Sequence, residues 1–407
     1  MHVHRWRVDV RFRTSGVVLL GGLALTGVTL GATGCSGLGT RVGPYAAGTA
    51  TAPRPELSPR RSSSNDRGQP PAPTTPRTGS PAKQAPGGPT APTPSTGPAA
   101  TAVPTAPASA RATLAFGGDV HFEGTSRAGL TGDLGSAFGP LAAADAGFVN
   151  LETAITDRGS PGPKTYTFRA PASAMTVLRA AGIDAVTMAN NHGEDYGLVG
   201  LRDSLAASQA TGLPVIGAGL DDSAAYTPWR GTLHGIRVSA FGATDVLDDY
   251  AVAAWPATAT RPGLASSKDE TRLLAAVRAE RARADVVVVF LHWGRERVIC
   301  PTARQQQLAH ELAGAGASLL VGSHAHVQQP QRMVDGIPVF YGLGNFHFYA
   351  RGGAGSVSGV ATVTVGPHGV LSTGWVPARI VSGAPHLLAG AEARSAVAAF
   401  GALCPAQ

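Results

Sequence analysis

From Arg111 onward, short apolar runs alternate with segments of helical composition and period. The runs are Thr113–Phe116, Gly147–Val149, Asp184–Met188, Arg237–Phe241, Asp285–Leu291 and Ser318–Val321. The four consecutive valines at 286–289 leave no polar face, which predicts a central strand buried on both sides. Between the runs, Ala172–Ala181, Leu198–Ala210, Lys268–Arg283 and Ala303–Ala313 predict helices. Such alternation predicts an α/β fold, a layered α/β/β/α sandwich formed by residues 111–407 as one unit. Gly359–Ile380 departs from this pattern. It alternates like an antiparallel hairpin, with Gly366-Pro367-His368-Gly369 as its turn.

The first 110 residues read differently. An Arg-rich start precedes an apolar run, Val17–Leu30, that is short for a membrane span and patterned like a signal peptide. It ends in Ala32-Thr33-Gly34-Cys35-Ser36, similar to a lipobox with Cys35 as the lipidated residue, although Ala32 stands where Leu is more common. The alternative is an ordinary cleaved signal. Either way residues 1–35 predict an extracytoplasmic protein, anchored to the membrane by lipid on Cys35 or secreted. Residues 36–110 are Pro, Thr, Ser, Ala and Gly with scattered Arg, too poor in large apolar side chains to build a core. They predict a disordered spacer.

Charge is divided in the same way. The net +7 is +3 from residues 1–35 and +5 from 36–110, leaving −1 for 111–407. The folded part has no basic stripe, so no nucleic-acid partner is expected. The basic excess belongs to leader and tether, where it favours an anionic membrane or envelope surface. Of three cysteines, Cys35 is the candidate for lipid. Cys300 and Cys404 remain as a candidate disulfide in an oxidising compartment, or as two separate buried thiols.

The residues just beyond the apolar runs carry the chemistry. Asp119 and His121 come after the first, Glu152 after the second, Asn190, Asn191 and His192 after the third, His292 after the fifth, and His324 and His326 after the sixth. In open α/β sheets the carboxyl ends of strands line one crevice. Carboxylate, amide and imidazole donors without thiolates suit divalent Mn, Fe or Zn rather than a Cys-rich structural zinc site. Asp119-x-His121 and His324-x-His326 require bends, which Gly117, Gly118 and Gly322 are placed to permit. Each residue alone has a plainer reading: a packing histidine, an Asx turn at Asn190-Asn191, a helix-start charge at Asp195. Trp293 reads as core or pocket wall, and Gly342-Leu343-Gly344 as a tight turn.

Six ordered motifs carry a family resemblance. They are Gly118-Asp119-Val120; Asn150-Leu151-Glu152; Ala189-Asn190-Asn191-His192 with Asp195-Tyr196-Gly197; His292-Trp293-Gly294-Arg295-Glu296; Gly322-Ser323-His324-Ala325-His326-Val327; and Tyr341-Gly342-Leu343-Gly344-Asn345-Phe346. Together they resemble the CapA family, associated with poly-γ-glutamate capsule synthesis and related to calcineurin-like metallophosphoesterases. The resemblance implies a metallophosphoesterase-like sandwich holding two divalent ions. Asp119, His121 and His326 would bind the first ion, and Asn191, His292 and His324 the second. Glu152 would bridge them where the phosphoesterases use Asp. His192 would act as general acid, with Asp195, Glu296 and Asn345 as supporting or substrate-contacting residues. Two functions remain open on these residues. One is metal-dependent hydrolysis of a phosphoester, or a related amide or ester, on an envelope substrate. The other is a non-catalytic metal-containing module that binds an anionic envelope polymer or its membrane synthase.

Overall fold

A computed structural model describes residues 107–350 and 352–405. The leader, Cys35 and all but the end of the expected spacer lie outside the described residues.

Two sheets form the centre. The first runs, strand by neighbouring strand, Ala384–Leu387, Gly369–Val381, Val357–Gly366, Ala112–Val120, Ala146–Leu151, Ala185–Thr187 and Val215–Ile216, with Asn345–His347 paired to the end of Ala112–Val120. The second runs Gln328–Val334, Ile337–Leu343, Leu319–Ser323, Val286–His292, Ile236–Thr244 and Trp229–Leu233. Alternation along Val286–His292 shows why the valine run is buried throughout. Val286, Val288 and Phe290 enter the core between the sheets, while Val287, Val289 and Leu291 pack beneath helices Glu270–Arg281 and Ala303–Ala315. A third core lies between the first sheet and helices Phe138–Ala143, Ser173–Ala180 and Gly197–Thr211. The order helix, sheet, sheet, helix is therefore the layered sandwich expected. Phe116 ties the sheets together, stacked on Phe148 at 5.2 Å and edge-on to Phe290 at 6.1 Å.

The helices begin and end where their chemistry dictates. Ala303–Ala315 starts in a capping box between Thr302 and Gln305 and stops at Gly316, whose φ of 103° only glycine adopts readily. The hairpin also forms as expected, Val357–Gly366 against Gly369–Val381. Beyond it, helix Gly390–Gly401 inserts Phe400 against Trp375, rings stacked at 4.2 Å. A Cys300–Cys404 disulfide fastens this tail.

Three strands of the second sheet escape the apolar-run reading: Trp229–Leu233, Gln328–Val334 and Ile337–Leu343. The first two are edge strands, and Gln328-Gln329-Pro330-Gln331-Arg332 has the polarity and proline that only an edge tolerates. Gly342 and Leu343 belong to the third strand, and the tight turn expected there narrows to Gly344, at φ 72°.

Each sheet contains a run of parallel strands. In the first, Ala112–Val120, Ala146–Leu151, Ala185–Thr187 and Val215–Ile216 are parallel neighbours; in the second, Ile236–Thr244, Val286–His292, Leu319–Ser323 and Ile337–Leu343. Their carboxyl ends therefore finish together, and side chains at those ends converge.

Candidate metal centre

Several of these side chains leave from the last residues of the strands themselves. Asp119 precedes the final residue of Ala112–Val120, and His292 ends Val286–His292. The pairing with Ala146–Leu151 slips between Phe116 and Asp119, a bulge at Gly117-Gly118 that turns Asp119 toward the second sheet. Gly118 is required by proximity: a Cβ there would lie 1.8 Å from the Gly344 carbonyl oxygen. At Gly322 a Cβ would meet the Tyr341 carbonyl oxygen at 2.0 Å. These glycines thus permit close approach, whereas the left-handed backbone falls on the histidines themselves, His324 at φ 90° and His326 at φ 54°. Such conformations cost on the order of 1–3 kcal/mol each and persist where the surroundings enforce them.

The reversal sends the two imidazoles apart. His324 packs beside His292, ring centroids 4.7 Å apart, while His326 reaches Asp119, Nδ1 to Oδ2 at 3.4 Å. Glu152 lies between them, its Oε1 at 3.6 Å from His292 Nε2 and 3.8 Å from His326 Nε2. Two groups of ligand atoms result, Glu152–His292–His324 and Asp119–Glu152–His326, with all atoms of each within 4.8 Å of one another. Glu152 belongs to both. Asn191 joins the first group through Oδ1, 2.8 Å from His292 Nε2.

An amide lattice beneath holds these groups in place. Asn150 Nδ2 donates to Asp119 Oδ1 at 2.8 Å and lies 3.2 Å from His292 Nδ1, so one side chain spans both sheets. Asn190 donates to Asn150 Oδ1 and the Leu151 carbonyl, and accepts the His192 backbone N–H in an Asx-type turn. The plain reading of Asn190 therefore holds, in the service of the site. Asn345 supports the His326 ring, its Oδ1 2.8 Å from Nδ1.

Electrostatics sharpen the picture. Burial, then the nearby Asp119, raises the Glu152 carboxyl well above its ordinary range. Burial lowers His292 strongly, reinforced by His324, and lowers His324 to about 3, reinforced by His326. Burial also acts to lower His326, but Glu152 and Asp119 outweigh it and push the ring up to about 10. Both Glu152 oxygens are fully buried and have no hydrogen-bond partner. An uncompensated carboxylate in such a place is costly, so a cation among neutral imidazoles is what this donor set fits.

Beside Glu152 stands His192, Nε2 at 3.8 Å from Oε1, its Nδ1 2.6 Å from Asp195 Oδ2. The same Asp195 oxygen accepts from the Phe168 backbone N–H at 2.6 Å. Phe168 in turn stacks on the His192 ring at 4.1 Å. His192, His326 and Asn345 face a cleft of about 740 Å³ walled by Tyr166, Phe168, Phe348 and Tyr349, with Glu296 and Arg297 also lining it. Glu296 is exposed there and belongs to neither ligand group.

His121 stands beside the two ligand groups rather than within them, stacked on Phe348 at 3.7 Å with Nδ1 2.9 Å from Ser126 Oγ. Glu152 takes the third place beside Asp119 and His326, because the strand bulge carries Asp119 inward while His121, two residues on, packs among aromatic rings. Its Nε2 is buried without a hydrogen-bond partner. One charged residue here escaped the sequence reading, Lys164, whose side chain is 9% exposed. Lysine is scarce, occurring only at 83, 164 and 268 against thirty arginines, and that scarcity was the available signal.

An α/β sandwich with carboxylates and imidazoles gathered at the carboxyl ends of two sheets defines the class. Residues 113–350 match the family described as bacterial capsule synthesis protein PGA_cap, and the chain belongs to that family. It is 34% identical over 174 residues to the PGA biosynthesis protein CapA of Bacillus subtilis, covering 42% of this chain and 44% of that one. It is 35% identical over 174 residues to the capsule biosynthesis protein CapA of Bacillus anthracis, covering 42% and 41%. The match thus spans less than half the length of either relative. Among solved structures, a hypothetical protein from Thermus thermophilus superimposes with TM-score 0.42 at 18% identity, covering 65% of this chain and 98% of that one. A phosphatase from Mycoplasma pneumoniae gives TM-score 0.42 at 14% identity, covering 66% and 93%.

Proposed function

We propose that this chain is a two-metal hydrolase of the cell envelope, of metallophosphoesterase type, serving the synthesis of a capsule polymer such as poly-γ-glutamate or a related anionic polymer. One observation carries the proposal: the fully buried, unpartnered Glu152 carboxylate is shared by two groups of converging ligand atoms. Asp119, Glu152 and His326 would hold one divalent ion, with His121 Nε2 a further candidate. Glu152, His292, His324 and Asn191 would hold the other. When bound, two such ions supply Lewis-acid polarisation of the attacked centre and a water of lowered pKa.

The chain's own groups do the rest. Asp195 holds the His192 proton on Nδ1, which leaves Nε2 to exchange a proton with the leaving group. The aromatic cleft wall excludes water, and Arg297, lining it, offers a cation to an anionic substrate. Family membership supports a role in polymer synthesis, with an envelope polymer or phosphoester as substrate and a membrane synthase complex as partner. The disulfide supports an oxidising, extracytoplasmic compartment, with lipid on Cys35 as anchor.

The test is metal analysis of the purified full chain, followed by assays on p-nitrophenyl phosphate and bis-p-nitrophenyl phosphate. Two ions per chain and turnover abolished by Asp119→Ala and by His324→Ala are expected. Two ions without turnover, together with chelation-sensitive binding of poly-γ-glutamate, would instead establish the non-catalytic polymer-binding module.

A further inference from the structure

Lys164 lies in the excursion between Ala154–Ile155 and Arg169–Ala170, a stretch rich in Gly, Pro, Ser and Thr. Its ammonium meets three acceptors from two separate segments, the turn at 191–195 and the loop at Asp248. Asp195 Oδ1 is 2.7 Å away, Asp248 Oδ2 is 3.1 Å away, and the third is the Asn191 backbone carbonyl oxygen. The ammonium donates hydrogen bonds to the Asn191 carbonyl and to Asp248, and it stands against Asp195 Oδ1 as an ion pair. The planar fork of arginine cannot copy this arrangement, although arginine outnumbers lysine tenfold in this chain. The Trp255 ring lies 5.5 Å from the ammonium and closes the site on the remaining side.

The acceptors are not interchangeable surface groups. Asp195 is fully buried, and its other oxygen holds His192 Nδ1 and the Phe168 N–H. Asn191 carries the amide that stands against His292. Lys164 is thus the counter-charge beside the buried Asp195 carboxylate, and it holds the chain on both sides of His192, through the Asn191 carbonyl and the Asp195 side chain. A buried carboxylate stripped of such a cation is uncompensated, and the arrangement it imposes on a neighbouring ring is lost with it.

We propose that Lys164 is a positioning residue which, through Asp195, fixes the tautomer and direction of the His192 ring at the mouth of the metal centre. The proposal rests on the hydrolase reading for its kinetic consequence but not for its structural one. Lys164→Met and Lys164→Arg in the full chain supply the test, with metal content, kcat, KM and the His192 ring signals measured together. The His192 Nδ1–H should appear in wild type as a downfield-shifted imidazole proton, assigned by its absence in His192→Gln. In Lys164→Met the expected result is two ions retained and that proton signal lost or moved upfield. On bis-p-nitrophenyl phosphate, kcat should fall at least tenfold with KM within about twofold. Lys164→Arg should fail to restore the signal. An unchanged His192 signal in Lys164→Met, or restoration by Arg of both signal and rate, would overturn the proposal. If Lys164→Met does not fold, Asp248→Ala removes one of the three acceptors from a part-exposed position. A broadened or shifted His192 signal in it supports the proposal, and an unaltered one refutes it. Should wild type hold metal without any turnover, the hydrolase reading fails, while the ring signal still decides the role of Lys164.

Discussion

The His324 backbone N–H donates to Asp119 Oδ2 at 3.3 Å, joining two residues 205 positions apart at the meeting of the two sheets. Asp119 and His292 nevertheless serve different ligand groups that share only Glu152. Asp119→Ala should therefore lower bound metal from two ions to one per chain, and His292→Ala should do the same at the other position. Glu152→Gln, which strikes both groups, should leave less than one. Plasma emission analysis of dialysed protein checks all three, and equal total loss in every variant would show a single ion instead.

Metal uptake should release protons. In the metal-free protein burial raises Glu152 well above the carboxylate range, while at His326 burial is outweighed by Glu152 and Asp119, which push it up to about 10, so the pair shares a retained proton that a bound cation displaces. Affinity should rise with pH across 7–9, and Glu152→Gln should release fewer protons in a weakly buffered titration. The stability of the metal-free form runs the opposite way with pH. A raised folded-state value stabilises at low pH and is lost as pH rises through it, whereas His292 and His324, lowered by burial, stay neutral above 6.5 folded or unfolded. Melting temperature of metal-free protein should thus fall between pH 7 and 9.5 more steeply than that of the loaded form.

Two glycines only eight positions apart should respond oppositely to alanine. At Gly322 the new methyl would sit 2.0 Å from the Tyr341 carbonyl oxygen and 2.3 Å from Trp293 Nε1, in a buried strand beneath the site. A loss of about 3 kcal/mol or more is expected, with metal binding impaired. At Gly314, inside helix Ala303–Ala315, a Cβ meets nothing within 4 Å. There alanine should add about 0.5–1 kcal/mol through helix propensity. Urea unfolding of the two variants measures both effects.

Reducing the Cys300–Cys404 bond opens a loop whose ends are 104 positions apart. Cys404→Ser should cost about 2–5 kcal/mol. Because Cys300 comes just after the cleft residues Glu296, Arg297 and Ile299, the loosening should reach the cleft before the metal centre. Hydrogen exchange should accelerate at 295–300 and in helix Gly390–Gly401 while metal content stays at its wild-type level. Uniform acceleration across both sheets would contradict this.

Much of this molecule was written locally. The valine run at 286–289, the spacing of Leu308 and Leu312, and the turn at Gly366–Gly369 each encode their element within a few residues, because burial and turn chemistry act at that range. The donor types were equally legible, since Asp, Glu, Asn and His after apolar runs have few other uses in such number. Tertiary structure decided the pairing. That one Asn150 side chain spans both sheets, that His121 packs on Phe348, and that the left-handed backbone falls on His324 and His326 rather than on glycine all result from how two sheets meet. So does the burial of Lys164 against Asp195, since a charge in a Gly- and Pro-rich loop looks solvent-exposed until two distant segments close around it. Such contacts span 27 to 227 positions, and no periodicity along a chain can register them.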